Sequence, residues 1–173
     1  MNAKQLRKTL PGRRGIKSIK KNPIFLVLDS VMDTYNIGSL FRLADAIGAQ
    51  KLLLCGDIEY PPSSRIHKAA VGTENWVTWE KYGNALAAIR KLQKSGVQVI
   101  AIEQYAKAVN YLELNKHLRF PVALVVGHET DGVSKEVLKK ADLVVEFPMF
   151  GVNKSFNVWG SAAIVAYKVL EVL

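Results

Sequence analysis

The sequence predicts an α/β protein built on a parallel β-sheet with helices on both faces. Short runs of Val, Ile and Leu recur along the chain, such as LVVEF at 143–147, and they are apolar at successive positions. Stretches with apolar residues at helical spacing separate these runs. Strands that are apolar on both faces are typical of parallel sheets covered from both sides.

The elements follow one another from Pro23 onward. We predict strands at 24–29, 51–55, around 76–80, 97–103, 122–127 and 143–147. We predict helices at 38–47, near 66–70, at 86–94, after Ser134 as N-cap, and at 158–173. The last helix begins with the small residues Gly160 to Ala163 and has the composition of a fully buried helix.

Length and composition indicate one globular domain. The chain has 173 residues, 49% of them apolar, and a single cysteine. Cys55 ends an apolar run, so we expect a buried, unreactive thiol rather than a disulfide, and no Cys/His spacing resembles a zinc site. No segment has the length of a membrane span or the pattern of a signal peptide, and we therefore expect a cytoplasmic protein without metal or membrane partners.

The positive charge is concentrated at the N-terminus. The formal net charge is +9, and residues 1–22 contain eight lysines and arginines without one acidic residue. We predict a flexible arm over 1–22 that binds the phosphate backbone of a nucleic acid, in front of a domain over 23–173. The alternative is a solvated tail that promotes solubility. The basic residues assigned to the arm contact are Arg7, Lys8, Arg13, Arg14 and Lys17.

Ligands of parallel α/β sheets bind beyond the carboxyl ends of the strands, so the residues that follow each predicted strand are the candidates for a site. After the first strand comes SVMDTYNIGS, which contains neither G-x-G-x-x-G nor a P-loop lysine. This absence argues against a dinucleotide-binding domain, a P-loop enzyme and a methyltransferase of the Rossmann type.

Three predicted strand ends carry polar and glycine-rich motifs. The first contains N-x-G-x-x-x-R at Asn36, Gly38 and Arg42. The second reads GHETDGVS at 127–134, and the third reads FPMFGVNKSFNV at 147–158. Glycines at 127, 132 and 151 would let the backbone pass close to a ligand or adopt positive φ. In the third motif, we expect Ser155 and Asn157 to line a pocket, and the alternative is that they cap the final helix.

These motifs, in this order and spacing, resemble the SpoU/TrmH family of the SPOUT superfamily, which are RNA ribose 2′-O-methyltransferases. The resemblance covers about residues 23–173. It implies a C-terminal deep trefoil knot, S-adenosylmethionine as cofactor, a homodimer with the active site near the subunit interface, and tRNA or rRNA as partner. The catalytic residues that it implies are Arg42, Asn36, Glu129, Ser155 and Asn157. The cofactor-binding residues that it implies are Gly127, Gly132, Phe147, Met149, Gly151, Ser155 and Phe156.

Several points stay open at this stage. Arg42 either activates the ribose hydroxyl with help from an RNA phosphate or stabilises the developing alkoxide, because a guanidinium hardly deprotonates. Arg65 and Lys68 are candidate RNA contacts in addition to the arm. None of the three histidines, His128 among them, has an obvious partner. Two other readings are a knotted RNA-binding protein without catalysis and an α/β domain with an unrelated nucleotide ligand.

Overall fold

The computed structural model describes Gln5, Gly12, Ile16 and residues 20–173. Within residues 20–173, seven strands form one sheet, and all its strand pairs are parallel. The strands are β1 (Asn22–Asp29), β2 (Ala49–Cys55), β3 (Trp79–Tyr82), β4 (Gln98–Ile102), β5 (Val109–Asn110), β6 (Val122–Val126) and β7 (Leu143–Glu146). The helices are α1 (Thr34–Ala46), α2 (Ser64–Ala70), α3 (Ala85–Lys94), α4 (Lys135–Leu138) and α5 (Val158–Leu170). Two 3₁₀ turns lie at Thr73–Asn75 and Tyr111–Lys116.

The strand order is β3-β2-β1-β6-β4-β7-β5. Strands β1, β2 and β3 lie next to one another in chain order. On the other side of β1, the order β6-β4-β7-β5 does not follow the chain. Strand β6 pairs with both β1 and β4, and β7 pairs with both β4 and β5. Each of these late strands therefore lies between two strands that precede it in the chain.

Helices cover both faces of the sheet, as the apolar runs predicted. One core contains Leu26 and Leu28 of β1 together with residues of α1, α2 and α5. The other core contains Val27 of β1 together with residues of α3 and α4, including Ile89 and Val137. Strands β4 and β6 are buried at every position, which explains why their sequences are apolar without alternation.

The boundaries of most elements differ from the prediction by one or two residues, β5 was not predicted, and three differences are larger. Helix α1 begins at Thr34 rather than 38, because the Asp33 side chain accepts a hydrogen bond from the Tyr35 amide and caps the helix. Strand β3 lies at 79–82 rather than 76–80, because a 3₁₀ turn precedes it and Trp76 ends that turn. Helix α5 ends at Leu170 rather than 173.

The prediction that the final helix is fully buried is wrong. The inner side of α5 consists of Ala162, Val165, Ala166 and Val169. Its outer side exposes the large apolar residues Trp159, Ile164 and Tyr167. No helix in the described part of the chain has both the length and the apolar character that a membrane crossing requires.

Candidate active site

A cavity of about 480 Å³ opens at the carboxyl ends of β4, β6 and β7. This is the edge of the sheet where ligands of parallel α/β folds bind. Most residues predicted for the site line this cavity: Gly127, Glu129, Gly132, Phe147, Met149, Ser155, Phe156 and Asn157. Within residues 20–173, the structure therefore brings the second and third motifs together around one space.

A chain of side-chain hydrogen bonds joins the three motifs. Asn36 donates from Nδ2 to Glu129 Oε1 at 2.9 Å, and its Oδ1 accepts from Asn157 Nδ2 at 3.1 Å. Asn36 is 3% exposed, so its amide oxygen and nitrogen are oriented by these two partners. Asn157 also caps α5, because its Oδ1 accepts from the Trp159 amide at 3.0 Å. Asn157 therefore both caps the final helix and lines the cavity.

Glu129 holds the start of α1 as well as Asn36. Its two carboxylate oxygens accept hydrogen bonds from the backbone amides of Met32 and Asp33, each at 3.0 Å. Burial on its own would raise the pKa of Glu129, but the bonds from Asn36, Met32 and Asp33 hold that pKa below its usual range. The carboxylate is therefore ionised at neutral pH and serves as an acceptor.

Two glycines and a histidine shape the second motif. A Cβ on Gly127 would lie 2.1 to 2.2 Å from the backbone of Gly132 and Val133, so only glycine fits there. Gly132 has a φ of +69°, in the left-handed region. His128, for which no partner was predicted, accepts hydrogen bonds at Nδ1 from the amides of Thr130 and Asp131. The imidazole thus stabilises the turn that presents Glu129.

Aromatic contacts support the third motif. The rings of Phe147 and Phe156 meet edge-on with centroids 5.9 Å apart. A Cβ on Gly160 would lie 2.6 Å from the Phe156 ring, so the glycine makes room for that ring at the start of α5. The Ser155 hydroxyl donates to Asn153 Oδ1 at 2.9 Å.

Three predicted site residues are not part of the cavity lining: Asn36, which hydrogen bonds connect to Glu129 and Asn157 of the lining, Gly151 and Arg42. Gly151 is exposed, has no positive φ and meets nothing closer than 3.9 Å at its Cβ position, so a positive φ does not account for glycine at this position. Arg42 is exposed and makes no hydrogen bond or ion pair with residues that the structure describes. It lies six residues after Asn36 on α1, which puts the two about 9 Å apart along the axis and roughly 120° apart around it. The single chain therefore does not bring Arg42 to the Asn36 amide.

The candidate nucleic-acid contacts are only partly described. Arg65 and Lys68 are exposed on α2. The remaining candidates, Arg7, Lys8, Arg13, Arg14 and Lys17, lie outside the described residues.

Several cavity residues were not predicted from the sequence. They include Glu103 and Gln104, which directly follow β4, and Asn153 and Lys154 of the third motif. A signal was available for the first two, because they are polar residues at the carboxyl end of an apolar strand. Within the described part of the chain, no group of three acidic, histidine or cysteine side chains is arranged to hold a metal ion.

The chain is similar to several known proteins. It is 28% identical over 152 residues to the 23S rRNA (guanosine-2′-O-)-methyltransferase RlmB of Neisseria meningitidis, covering 87% of this chain and 59% of that protein. Its structure matches the TrmH/SpoU tRNA modifying enzyme of A. aeolicus with a TM-score of 0.80 and 26% identity, covering 98% and 81% of the two chains. It also matches an AdoMet-bound rRNA methyltransferase from Sinorhizobium meliloti with a TM-score of 0.79 and 26% identity, covering 97% and 60%.

The chain spans less than two thirds of the length of the first curated relatives that it matches. The match to the family model extends over residues 23–167, which contain all three motifs and the whole cavity lining. The chain therefore belongs to the SpoU rRNA Methylase family.

Proposed function

We propose that this protein transfers a methyl group from S-adenosylmethionine to the 2′-hydroxyl of a ribose in tRNA or rRNA. The observation that carries this proposal is the chain of hydrogen bonds from Glu129 through Asn36 to Asn157, at one cavity of the strand ends. The names of the relatives support it, since one is a guanosine-2′-O-methyltransferase of 23S rRNA and another modifies tRNA. Such substrates would place the protein in the cytoplasm.

The residues of the cavity fit S-adenosylmethionine. Its volume of about 480 Å³ lies within the range of about 300–1,000 Å³ that is usual for small-molecule sites. Phe147, Met149 and Phe156 provide an apolar wall for a flat purine, and the amides and carboxylates of the rim can bind a ribose and an amino acid group. When bound, the cofactor would supply an electrophilic methyl group on a sulfonium.

The side chains of this chain would act mainly by positioning. Asn36 and Asn157 hold each other's amides in fixed orientations, so an incoming ribose would meet preorganised polar groups. Ser155 offers a hydroxyl on the cavity side of the same loop. Glu129 stays ionised and orients the Asn36 amide by accepting its hydrogen bond. The guanidinium of Arg42 offers hydrogen-bond donors and a positive charge, so we assign it to the RNA phosphate and to the negative charge that develops on the ribose oxygen.

A second copy of the chain would complete this site. Arg42 is remote from the Asn36 amide within one chain, and a partner could present its own Arg42 instead. Exposed apolar side chains lie on the packed helices α1 and α5 and just before α1, and they offer a surface for a homodimer. These side chains are Met32, Tyr35, Trp159, Ile164 and Tyr167.

Two further features belong to the proposal. The insertion of β6 between β1 and β4, and of β7 between β4 and β5, supports a knotted C-terminal half.

The basic segment 1–22 would act as an arm for the RNA backbone, with Arg65 and Lys68 as additional contacts. Removing residues 1–22 should weaken RNA binding and lower its dependence on salt concentration, and an unchanged dependence would exclude the arm.

Labelled S-adenosylmethionine and total RNA test the reaction. We expect label in alkali-resistant dinucleotides, because a 2′-O-methyl group blocks cleavage of the adjacent phosphodiester. Label on a base, or cofactor binding without any transfer, would refute the proposed reaction.

The variant Arg42→Ala should lose transfer and keep its affinity for S-adenosylhomocysteine. Arg90→Ala is the matched control, since Arg90 is an exposed arginine on α3, which packs on the other face of the sheet.

A further inference from the structure

The two residues that follow β4 contact both loops of the cavity. Glu103 Oε2 accepts a hydrogen bond from the Val133 amide at 2.9 Å, and Glu103 Oε1 accepts from the Gln104 amide at 2.9 Å. The carboxylate also occupies the space beside Gly132, since a Cβ there would lie 2.1 Å from Oε2. Glu103 therefore fixes the backbone of the second motif from the sheet side.

Gln104 makes the corresponding contact with the third motif. Its Nε2 donates to the backbone oxygen of Lys154. The Lys154 ammonium in turn donates to the Met149 oxygen at 2.9 Å, so the two ends of this loop are joined to each other. One side-chain bond from Gln104 thus connects the β4 end with the whole loop from Met149 to Lys154.

The strand that precedes this pair, β4, is held in place by its neighbours in the sheet. All five residues of β4 are buried, and the strand lies between β6 and β7. The chain bends at Glu103, directly after the strand, and the two neighbouring side chains reach different loops. Glu103 and Gln104 therefore connect the second and the third motif to the end of the same strand.

We propose that Glu103 and Gln104 are positioning residues that set the width of the cavity and thereby the affinity for S-adenosylmethionine. This inference rests on the proposed function, because it takes the cavity as the cofactor site. The pair acts through the backbone of the two loops and not on the reacting atoms. Its loss should consequently weaken cofactor binding and leave the transfer rate at saturating cofactor nearly unchanged.

The test uses variants that keep the size of each side chain. Gln104→Met has a similar length but cannot donate to the Lys154 oxygen. Glu103→Gln replaces one of two acceptor oxygens by an NH₂ group, which would face a backbone N–H. Gln93→Met is the matched control, because Gln93 also donates from its side chain to a backbone oxygen, that of Lys140, away from the cavity.

Titration calorimetry with S-adenosylhomocysteine and steady-state kinetics give the readouts. We expect the Kd and the KM for the cofactor to rise about tenfold in Gln104→Met and in Glu103→Gln, with kcat within about twofold of wild type. Gln93→Met should match wild type in Kd, KM and kcat. A Kd that is unchanged in both site variants, or a fall in kcat at constant Kd, would overturn the positioning role alone. Failure of the wild type to bind S-adenosylhomocysteine would overturn the proposed function as well.

Discussion

Replacing Gly38 by alanine tests how closely α1 and α2 are packed. Gly38 lies in α1, two residues after Asn36, and is buried against α2. A methyl group at this position would lie 2.5 Å from Ala69 Cβ, 2.7 Å from the Ala70 nitrogen and 2.9 Å from the Ile66 oxygen. Two of these three atoms belong to the backbone of α2, so no side-chain rotation relieves the overlap.

The magnitude follows from these distances. Carbon atoms in contact lie about 3.5 to 4.0 Å apart, so the two helices must separate by about 1 Å to admit the methyl group. Overpacking of this kind costs about 3 kcal/mol at the upper end of its usual range, which is appropriate where backbone atoms are involved. Alanine recovers about 1 kcal/mol as the better helix former. We therefore expect Gly38→Ala to lower the free energy of unfolding by about 2 kcal/mol and the Tm by about 4 to 8 °C.

Urea denaturation at equal protein concentration measures this effect, with Gly83→Ala as the matched control. Gly83 has neither a positive φ nor an atom within 4 Å of its Cβ position. The control should therefore lie within about 0.5 kcal/mol of wild type. If Gly38→Ala were as stable as wild type while the control behaved as expected, the close contact of α1 with α2 would be wrong. The placement of Asn36 would then be in question.

Three other predictions concern Glu129, Asn157 and Cys55. Because the pKa of Glu129 is held below its usual value of 4.5, its stabilisation should be complete above that pH and be lost as the pH falls through the lowered pKa. At pH 7, the free energy of unfolding measured by urea denaturation should be about 1 kcal/mol higher for wild type than for Glu129→Gln. A difference in this free energy that persists unchanged at pH 3 would contradict the prediction. Asn157→Asp should keep the α5 cap but lose methyl transfer and about 1 kcal/mol of stability, because a carboxylate cannot donate to the buried Asn36 Oδ1, whereas Asn157→Ala should lose about 1 kcal/mol more because the cap is lost as well. Full activity of the aspartate variant would argue against a role for the hydrogen bond from Asn157 to Asn36 in methyl transfer. Burial and the nearby Asp29 raise the pKa of Cys55 to about 12, so a thiol reagent at pH 8 should react only after denaturation, and rapid labelling of the native protein would contradict the burial.

The sheet could be predicted because its central strands are buried on both faces. Residues 24–29 and 122–126 contain only apolar side chains apart from Asp29, and that pattern is a local property of the sequence. The start of α1 was missed because Thr34, Tyr35 and Asn36 resemble a polar loop, while the cap from Asp33 depends on a single hydrogen bond. The strand order was beyond sequence reasoning, since the place of β6 between β1 and β4 is decided by long-range packing.

The candidate site was predictable as a set of motifs but not as a set of contacts. Asn36, Glu129 and Asn157 could be nominated together, and the structure joins them by hydrogen bonds. The roles of Glu103 and Gln104 could not, because their partners Val133 and Lys154 lie 30 and 50 residues away in the sequence. The separation of Arg42 from the Asn36 amide could not be predicted either, because the predicted helix began at 38 and left Asn36 in the preceding loop, whereas the structure includes both residues in α1.

The bond between Asn36 and Asn157 has a consequence for the synthesis of this protein. It spans 121 residues, and Asn157 also begins the last helix. A growing chain on the ribosome can pair β1 with β2 early, but it has no complete binding pocket until α5 has emerged. If the proposed function is correct, chains that end before α5 would not bind S-adenosylmethionine, and ligand-induced protection from proteolysis would report only on molecules that contain α5.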